Sequence, residues 1–325
     1  MADQAHEGGD GDDNIFVYMG GSIPQHLRDT ITHVRVHKSI KIIRSNAFLN
    51  CYRLVSIEMH DGVEIIGDHA FAGCSRLRGI KLSGVREIEH YAFHNTALEN
   101  VEFGDKLEII GQYAFASTSP LRKLQLPKVR VIRNNAFANC QQLAEAEFSK
   151  DLETVGRAVF YNCPRLRRIA IPLKCDLLGD KVFYDCANLS QVDLVGRVHK
   201  TTVASLLLDS WRNEMISEID RINQSLPHSP GYDKTNPIRR WMGRVLDRIE
   251  HYKNEHFILL KEFTTLLELA LWKAKLDESQ EERSHGSDQP AKKAKIDMKA
   301  ARQEKRITSG ASIVIKNVLP FLKLE

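Results

Sequence analysis

A small residue followed by phenylalanine recurs seven times at almost constant spacing, and this constrains the fold more than any other feature. The pairs are Ala47-Phe48, Ala70-Phe71, Ala92-Phe93, Ala114-Phe115, Ala136-Phe137, Val159-Phe160 and Val182-Phe183, with Phe-to-Phe spacings of 23, 22, 22, 22, 23 and 23. Aligning on that Phe fixes the other slots. Five residues before it stand Ile43, Ile66, Ile88, Ile110, Ile132, Val155 and Leu178. Two residues after it come the turn formers Asn50, Gly73, Asn95, Ser117, Asn139, Asn162 and Asp185, and next to them Cys51, Cys74, Thr96, Thr118, Cys140, Cys163 and Cys186. A leucine follows (Leu54, Leu77, Leu98, Leu121, Leu143, Leu166, Leu189), and the third unit is one residue short before its leucine.

After each leucine the apolar residues alternate, as in Leu124-Leu126 and Ile169-Ile171. Short alternating runs of this kind predict one β-strand per unit. The Asn, Gly, Ser or Asp tolerates left-handed backbone and supplies the turn. A unit of this length cannot bury its Ile, Ala, Phe, Cys and Leu alone. It buries them only against the same residues of its neighbours, so the units stack as a solenoid whose identical slots form ladders.

The pattern resembles the leucine-rich repeats of the BspA-like class, whose consensus is L-x-x-I-x-[IL]-P…V-x-x-I-G-x-x-A-F-x-x-C. Leu121 to Leu126, Pro127, Val129, Ile132, Ala136-Phe137 and Cys140 carry the resemblance, which extends over about residues 34–194. It implies a solenoid used for protein binding and no catalytic residue. The expected architecture is an α/β solenoid, a right-handed stack with one parallel sheet, followed by an α-helical hairpin.

Residues 14–198 are assigned to the solenoid with its N-terminal cap, because a stack exposes its core at each end. From Thr201 the apolar spacing turns helical: Leu208, Trp211, Met215, Ile219, Ile222 and Leu226 form one stripe. Pro227 to Gly231 breaks it. A second stripe runs through Ile238, Trp241, Val245, Ile249, Tyr252, His256, Leu259, Phe263, Leu266 and Ala270 at a near-heptad period. Residues 199–277 are therefore predicted to be an antiparallel helical hairpin. Its longer second helix has apolar surface left for the solenoid end or a partner, self-association included. Residues 278–306 are expected to be a disordered basic linker, and the apolar 307–325 to pack back or dock. The helical and tail segments resemble the appendage carried by a protist expansion of these repeat proteins.

Residues 1–13 hold five acids and no Lys or Arg, the composition of a disordered acidic start rather than a secretory signal. Six cysteines in 325 residues are too sparse for a disulfide scaffold. Together these favour an intracellular protein, cytoplasmic or nuclear. No run of about 18 apolar residues predicts a membrane span. The linker contains Lys292, Lys293 and Lys295 in a K-K-x-K pattern that resembles a nuclear localisation signal.

Chemistry finds little purchase. Phosphate-loop, nucleophile-elbow, zincin and EF-hand patterns are missing from the sequence. The cysteine slot also accepts Thr96 and Thr118, so it asks for a small buried donor rather than a metal or redox ligand. His90 and His94 lack an acidic companion at the spacing of a metal site; His251 and His256 stand beside Glu250 and Glu255, but His256 falls in the apolar stripe, where a packed core histidine is the commoner role. The expectation is no enzyme, no catalytic residue, no metal and no cofactor. The outward positions of the strands carry the functional information: Glu58, Lys81, Glu102, Gln125, Glu147 and Asp193 on one ladder, Lys123, Glu145 and Arg168 on the next. This polar face is the candidate protein-recognition surface, and its acidic lean makes nucleic acid an unfavourable ligand there. Two alternatives follow from the same chain: surface adhesion of the kind bacterial BspA-like proteins suggest, and nuclear nucleic-acid association through the basic linker.

Overall fold

A computed structural model describes residues 15–196, 198–206, 208–228 and 232–284. The side chains of 198, 199, 202 and 278–284 are outside that description. The acidic start, residues 285–306 of the basic linker and the whole of 307–325 also lie outside it.

The alternating segments form the expected strands. After Ile15–Tyr18 come His33–Val36, Ser56–Glu58, Gly79–Leu82, Asn100–Phe103, Lys123–Leu126, Glu145–Phe148, Arg168–Pro172 and Gln191–Val195. Paired strands run parallel and in slot register, for example Lys123 opposite Glu145 and Leu124 opposite Ala146. The expectation of a single sheet needs correction. The isoleucine slot forms a second parallel ladder of two-residue strands: Ile42–Ile43, Ile65–Ile66, Glu87–Ile88, Ile109–Ile110, Val131–Ile132 and Thr154–Val155. In each, the second residue is buried, so the Ile slot fills the core while its neighbour faces out.

The Ala-Phe segment closes each coil as a run of turns. No helix occupies it among the described residues, so the repeating part is all-β. The residue two after each Phe has positive φ, as its turn-forming chemistry suggested, and so does the residue two before it. These turns are also hydrogen-bonded from coil to coil. Phe71 N–H donates to Ala92 O at 2.8 Å and Phe93 N–H to Ala114 O at 2.7 Å. The seven Phe rings are buried and stack face to face from Phe48 to Phe183, with adjacent centroids 5.0 to 5.8 Å apart. Tyr18 ends the stack at 5.0 Å from Phe48.

Both ends of the stack are capped. At the N-terminal end, α1 (Gln25–Arg28) presents Arg28, whose Nη1 donates to Leu49 O at 2.8 Å. In later coils that carbonyl position accepts from the preceding coil.

Three further helices follow the solenoid: α2 (Val198–Ser205), α3 (Asp209–Ser225) and α4 (Thr235–Ser284). The start of α4 and the end of α3 cap all three edges of the last coil. Asn223 Oδ1 accepts from Val192 N–H at 2.8 Å on the long-strand edge. Arg239 Nη2 donates to Gly179 O at 2.8 Å on the second ladder. On the turn edge, Thr235 Oγ1 accepts from Phe183 N–H at 2.9 Å and Tyr232 O from Asp185 N–H at 2.8 Å. Lys234 Nζ donates to Ala187 O and Leu189 O. Behind these contacts Met215, Ile222, Leu226, Ile238, Trp241, Met242 and Val245 are buried, and Trp241 Nε1 donates to Glu218 O at 2.9 Å.

The expected division at 198/199 therefore moves. Among the described residues, one compact unit runs from Ile15 to Thr201 and from Arg212 to Arg248; the other comprises Thr202–Trp211 and Ile249 to Ser284. The near half of the hairpin belongs to the solenoid's own unit because it completes the last coil. The boundary expected after 277 also moves, since α4 continues to Ser284. In the second unit Trp211 stacks on Tyr252 at 5.2 Å, while Phe263 and Leu266 are each 62% exposed.

Candidate functional site

The long strands turn their first and third residues outward, which places the nine candidate residues on one face. Register fixes their neighbours, and the structure brings them together as ion pairs between coils. Lys81 lies 3.2 Å from Glu102, Lys123 lies 3.6 Å from Glu145, and Arg168 lies 2.6 Å from Asp193 and 3.9 Å from Glu147. Glu58 pairs at 2.7 Å with Arg35, a residue of the N-terminal cap that the repeat alignment did not include. Gln125 sits between Glu102 and Glu147 on its ladder and is exposed. Most charges on this face are thus neutralised across coils, and its acidic lean is local.

The face is also not continuous. Asn100–Phe103 and Lys123–Leu126 are not hydrogen-bonded partners, and neither are Ser56–Glu58 and Gly79–Leu82. At the first of these breaks the surface sinks into a depression of about 490 Å³ lined by Val101, Glu102, Phe103, Gln125, Leu126, Pro127, Glu147 and Phe148.

A second charged surface escaped the alignment of strand positions. Seven residues before each of the first six Phe stand Lys41, Glu64, Arg86, Glu108, Arg130 and Glu153, alternating in sign from coil to coil; before Phe183 the slot holds Asp176, where the alternation ends. They pair as Lys41 with Glu64 at 3.7 Å, Arg86 with Glu108 at 3.2 Å and Arg130 with Glu153 at 2.7 Å. All of these but Lys41, together with Lys128, Asp151 and Lys174, line a polar trough of about 800 Å³. The alternation is readable in the sequence once the slot is known to face solvent.

The cysteine slot acts as a buried donor. Cys74 Sγ donates to Phe48 O at 3.2 Å, Cys163 Sγ to Phe137 O at 3.3 Å, and Thr118 Oγ1 makes the same bond to Phe93 O at 3.1 Å. Burial pushes the Cys51 thiol up to about 11 and the Cys140 thiol up to about 12, away from reactive thiolate. Cys175 is the exposed one. His94 is half-buried, its pKa lowered first by that burial, and its ring meets Tyr91 edge-on at 5.6 Å. Among the described residues no group of three or more His, Cys, Asp or Glu is placed to hold a metal ion, and no helix is long and apolar enough to cross a membrane. Lys292, Lys293 and Lys295 lie outside the described residues.

The BspA-type leucine-rich repeat region, in six copies, matches residues 28–122 and 108–206. The chain belongs to this family. Its BspA-type repeats account for the Phe ladder, the Cys/Thr slot and the parallel strands together. No curated protein sequence matches the chain. Among solved structures it is similar to a leucine-rich repeat protein from Bacteroides ovatus, with 25% identity, a TM-score of 0.42, and coverage of 56% of this chain and 43% of that one. A leucine-rich repeat protein of T. pallidum aligns at 21% identity and TM-score 0.38, covering 60% and 88%. The pneumococcal vaccine antigen PcpA aligns at 19% and 0.32, covering 57% and 67%. The chain thus spans less than half the length of the Bacteroides protein.

Proposed function

We propose that this BspA-type repeat protein is a non-enzymatic scaffold that binds another protein through its long-strand face. What carries the reading is the arrangement of that face: eight successive strands present unlike polar side chains at a coil spacing of about 4.8 Å, a surface suited to reading an extended partner. Family membership supports the same class of function. Affinity capture with the full chain, against a version with Glu58, Glu102, Glu147 and Asp193 changed to Lys, tests it. A partner lost on those changes, and kept when Glu64, Glu108 and Glu153 are changed instead, supports the face. The reverse pattern moves recognition to the trough.

Self-association through distal α4 belongs to the same proposal, because Phe263 and Leu266 are exposed there. Equal, monomeric sedimentation of the full chain and its Phe263→Glu variant would remove it. We assign the protein to the cell interior, with Lys292, Lys293 and Lys295 as the import signal. Imaging the triple Lys→Ala variant tests this, and an unchanged distribution rejects the signal.

A further inference from the structure

The depression beside Gln125 differs from the rest of the strand face in three ways. It lies at a break in the sheet, where Asn100–Phe103 and Lys123–Leu126 share no ladder. Its coil also opens its interior. The inward residues Val101 and Phe103 are both partly exposed, whereas Ile80, Leu82, Leu124, Leu126, Ala146 and Phe148 in the same slots are buried and only Met59 and Leu194, each beside a buried partner, share the partial exposure. The other break, after Glu58, opens less: Ile57 and Ile80 stay buried there and Met59 alone is partly exposed. The distinguishing feature is local: this is the unit with one residue fewer between its Phe and its Leu, Phe93 to Leu98. The third difference is charge. The two ionised groups on the lining are both carboxylates, Glu102 and Glu147, and Gln125 between them carries no charge. Their cationic partners Lys81 and Arg168 are not part of the lining.

We propose that this depression is a peptide-binding pocket that takes one aromatic or large apolar side chain flanked by two basic ones, the occupant being an extended segment of a partner protein. The inference rests on the strand-face reading and names its recognition element. Val101, Phe103, Leu126 and Phe148 form an apolar floor with room for a ring. Glu102 and Glu147 lie two coils apart, at least about 10 Å, since one step is a ladder step of about 4.8 Å and the other crosses the break. In an extended chain, alternate residues point to the same side, so a Lys-x-Phe-x-Lys segment presents all three side chains together. Its two lysines are about 13 Å apart along the backbone at about 3.3 Å per residue, a mismatch their long side chains absorb. Such a segment lies along the solenoid axis, with its ring in the depression and its ammonium groups at the two carboxylates.

The test is a fluorescence-polarisation titration of the full-length protein with the labelled peptide Gly-Lys-Ser-Phe-Ser-Lys-Gly. Two further peptides replace Phe by Ser, or both Lys by Glu. The expected result is binding at least about tenfold tighter than either control. Gln125→Arg places a cation between the carboxylates at an exposed position with no packing role, and is expected to weaken the first peptide at least about tenfold. Glu102→Gln combined with Glu147→Gln is expected to do the same, while Arg86→Ala in the trough changes nothing. Equal affinity for all three peptides, or indifference to Gln125→Arg, overturns the proposal. The two readings fail separately. A captured partner that is lost on Glu58→Lys with Asp193→Lys but untouched by Gln125→Arg keeps the face and removes the pocket. Peptide binding sensitive to Gln125→Arg, beside a partner insensitive to every face variant, keeps the pocket and removes the face as the partner's site.

Discussion

Phe93 and Phe183 occupy the same slot and have the same buried ring, yet their backbone N–H groups are satisfied by different means. Phe93 donates to Ala114 O of the next coil, and Phe183, which has no next coil, donates to Thr235 Oγ1. Each edge of the last coil shows the contrast at least once. In the middle of the stack, backbone answers backbone; at the end, Asn223, Thr235, Lys234 and Arg239 answer mostly with side chains, with the Tyr232 carbonyl taking the Asp185 N–H. A buried strand edge left unpaired costs free energy and invites association, so the last coil requires some such replacement. The middle needs only a repeated residue type. The end needs particular residues at particular places, each used once.

The largest expected effect is on the middle. Phe137 stacks on a ring at both faces, at 5.3 Å and 5.7 Å, so Phe137→Ala should cost about 3–5 kcal/mol by denaturant unfolding. Phe183 stacks on one ring only, and Phe183→Ala should cost measurably less. Equal losses would erase the distinction between interior and end.

Next come the cap residues. Asn223→Ala and Thr235→Val each leave a backbone N–H of the last coil without its acceptor, for about 1–3 kcal/mol. If the cap were incidental, both changes would be nearly neutral.

The cysteine slot gives a smaller effect that depends on pH. Burial raises the Cys140 thiol to about 12 in the folded protein, while the unfolded thiol ionises near 9. A raised folded value means the stabilisation is fully present below pH 9 and is lost as pH rises from there towards 12. The urea midpoint should therefore fall through that range, and Cys140→Thr, a residue the slot already holds at Thr96 and Thr118, should fall less. Identical pH profiles would show that the slot does not hold its thiols protonated.

The smallest effect belongs to the surface pairs. Lys81 and Glu102 are both exposed, so Lys81→Ala should change stability by less than about 1 kcal/mol. A larger loss would make the face a structural zipper rather than a surface free for recognition.

The same contrast explains what the sequence disclosed. Phe, Ile, Leu and the Cys/Thr slot were legible because one steric environment recurs in each coil and selects one residue type. The left-handed position two before each Phe was not, because it holds Asn46, His69, Tyr91, Tyr113, Asn135, Ala158 and Lys181, which share no chemistry. The second ladder hid because two-residue strands are too short to alternate. Asn223 and Arg239 hid because a cap has no period, and their stripes read only as a hairpin. Of the candidate site, the nine face residues were legible from alternation, but their pairing was not, since ion pairs depend on side chains meeting across coils. The short third unit was visible in the alignment. Its consequence, the exposure of Val101 and Phe103, required the stacked neighbours.

Hydrogen exchange read by mass spectrometry tests the central claim, that the hairpin's near half is the missing last coil of the solenoid. The full-length protein is compared with a variant carrying Asn223→Ala, Thr235→Ala and Arg239→Ala. The account expects protection to fall most in Phe183 to Val195, less in Phe160 to Pro172, and not at all near Phe71, because each coil depends on its neighbour. Unchanged protection in the last coil, with loss confined to α3 and α4, would contradict it.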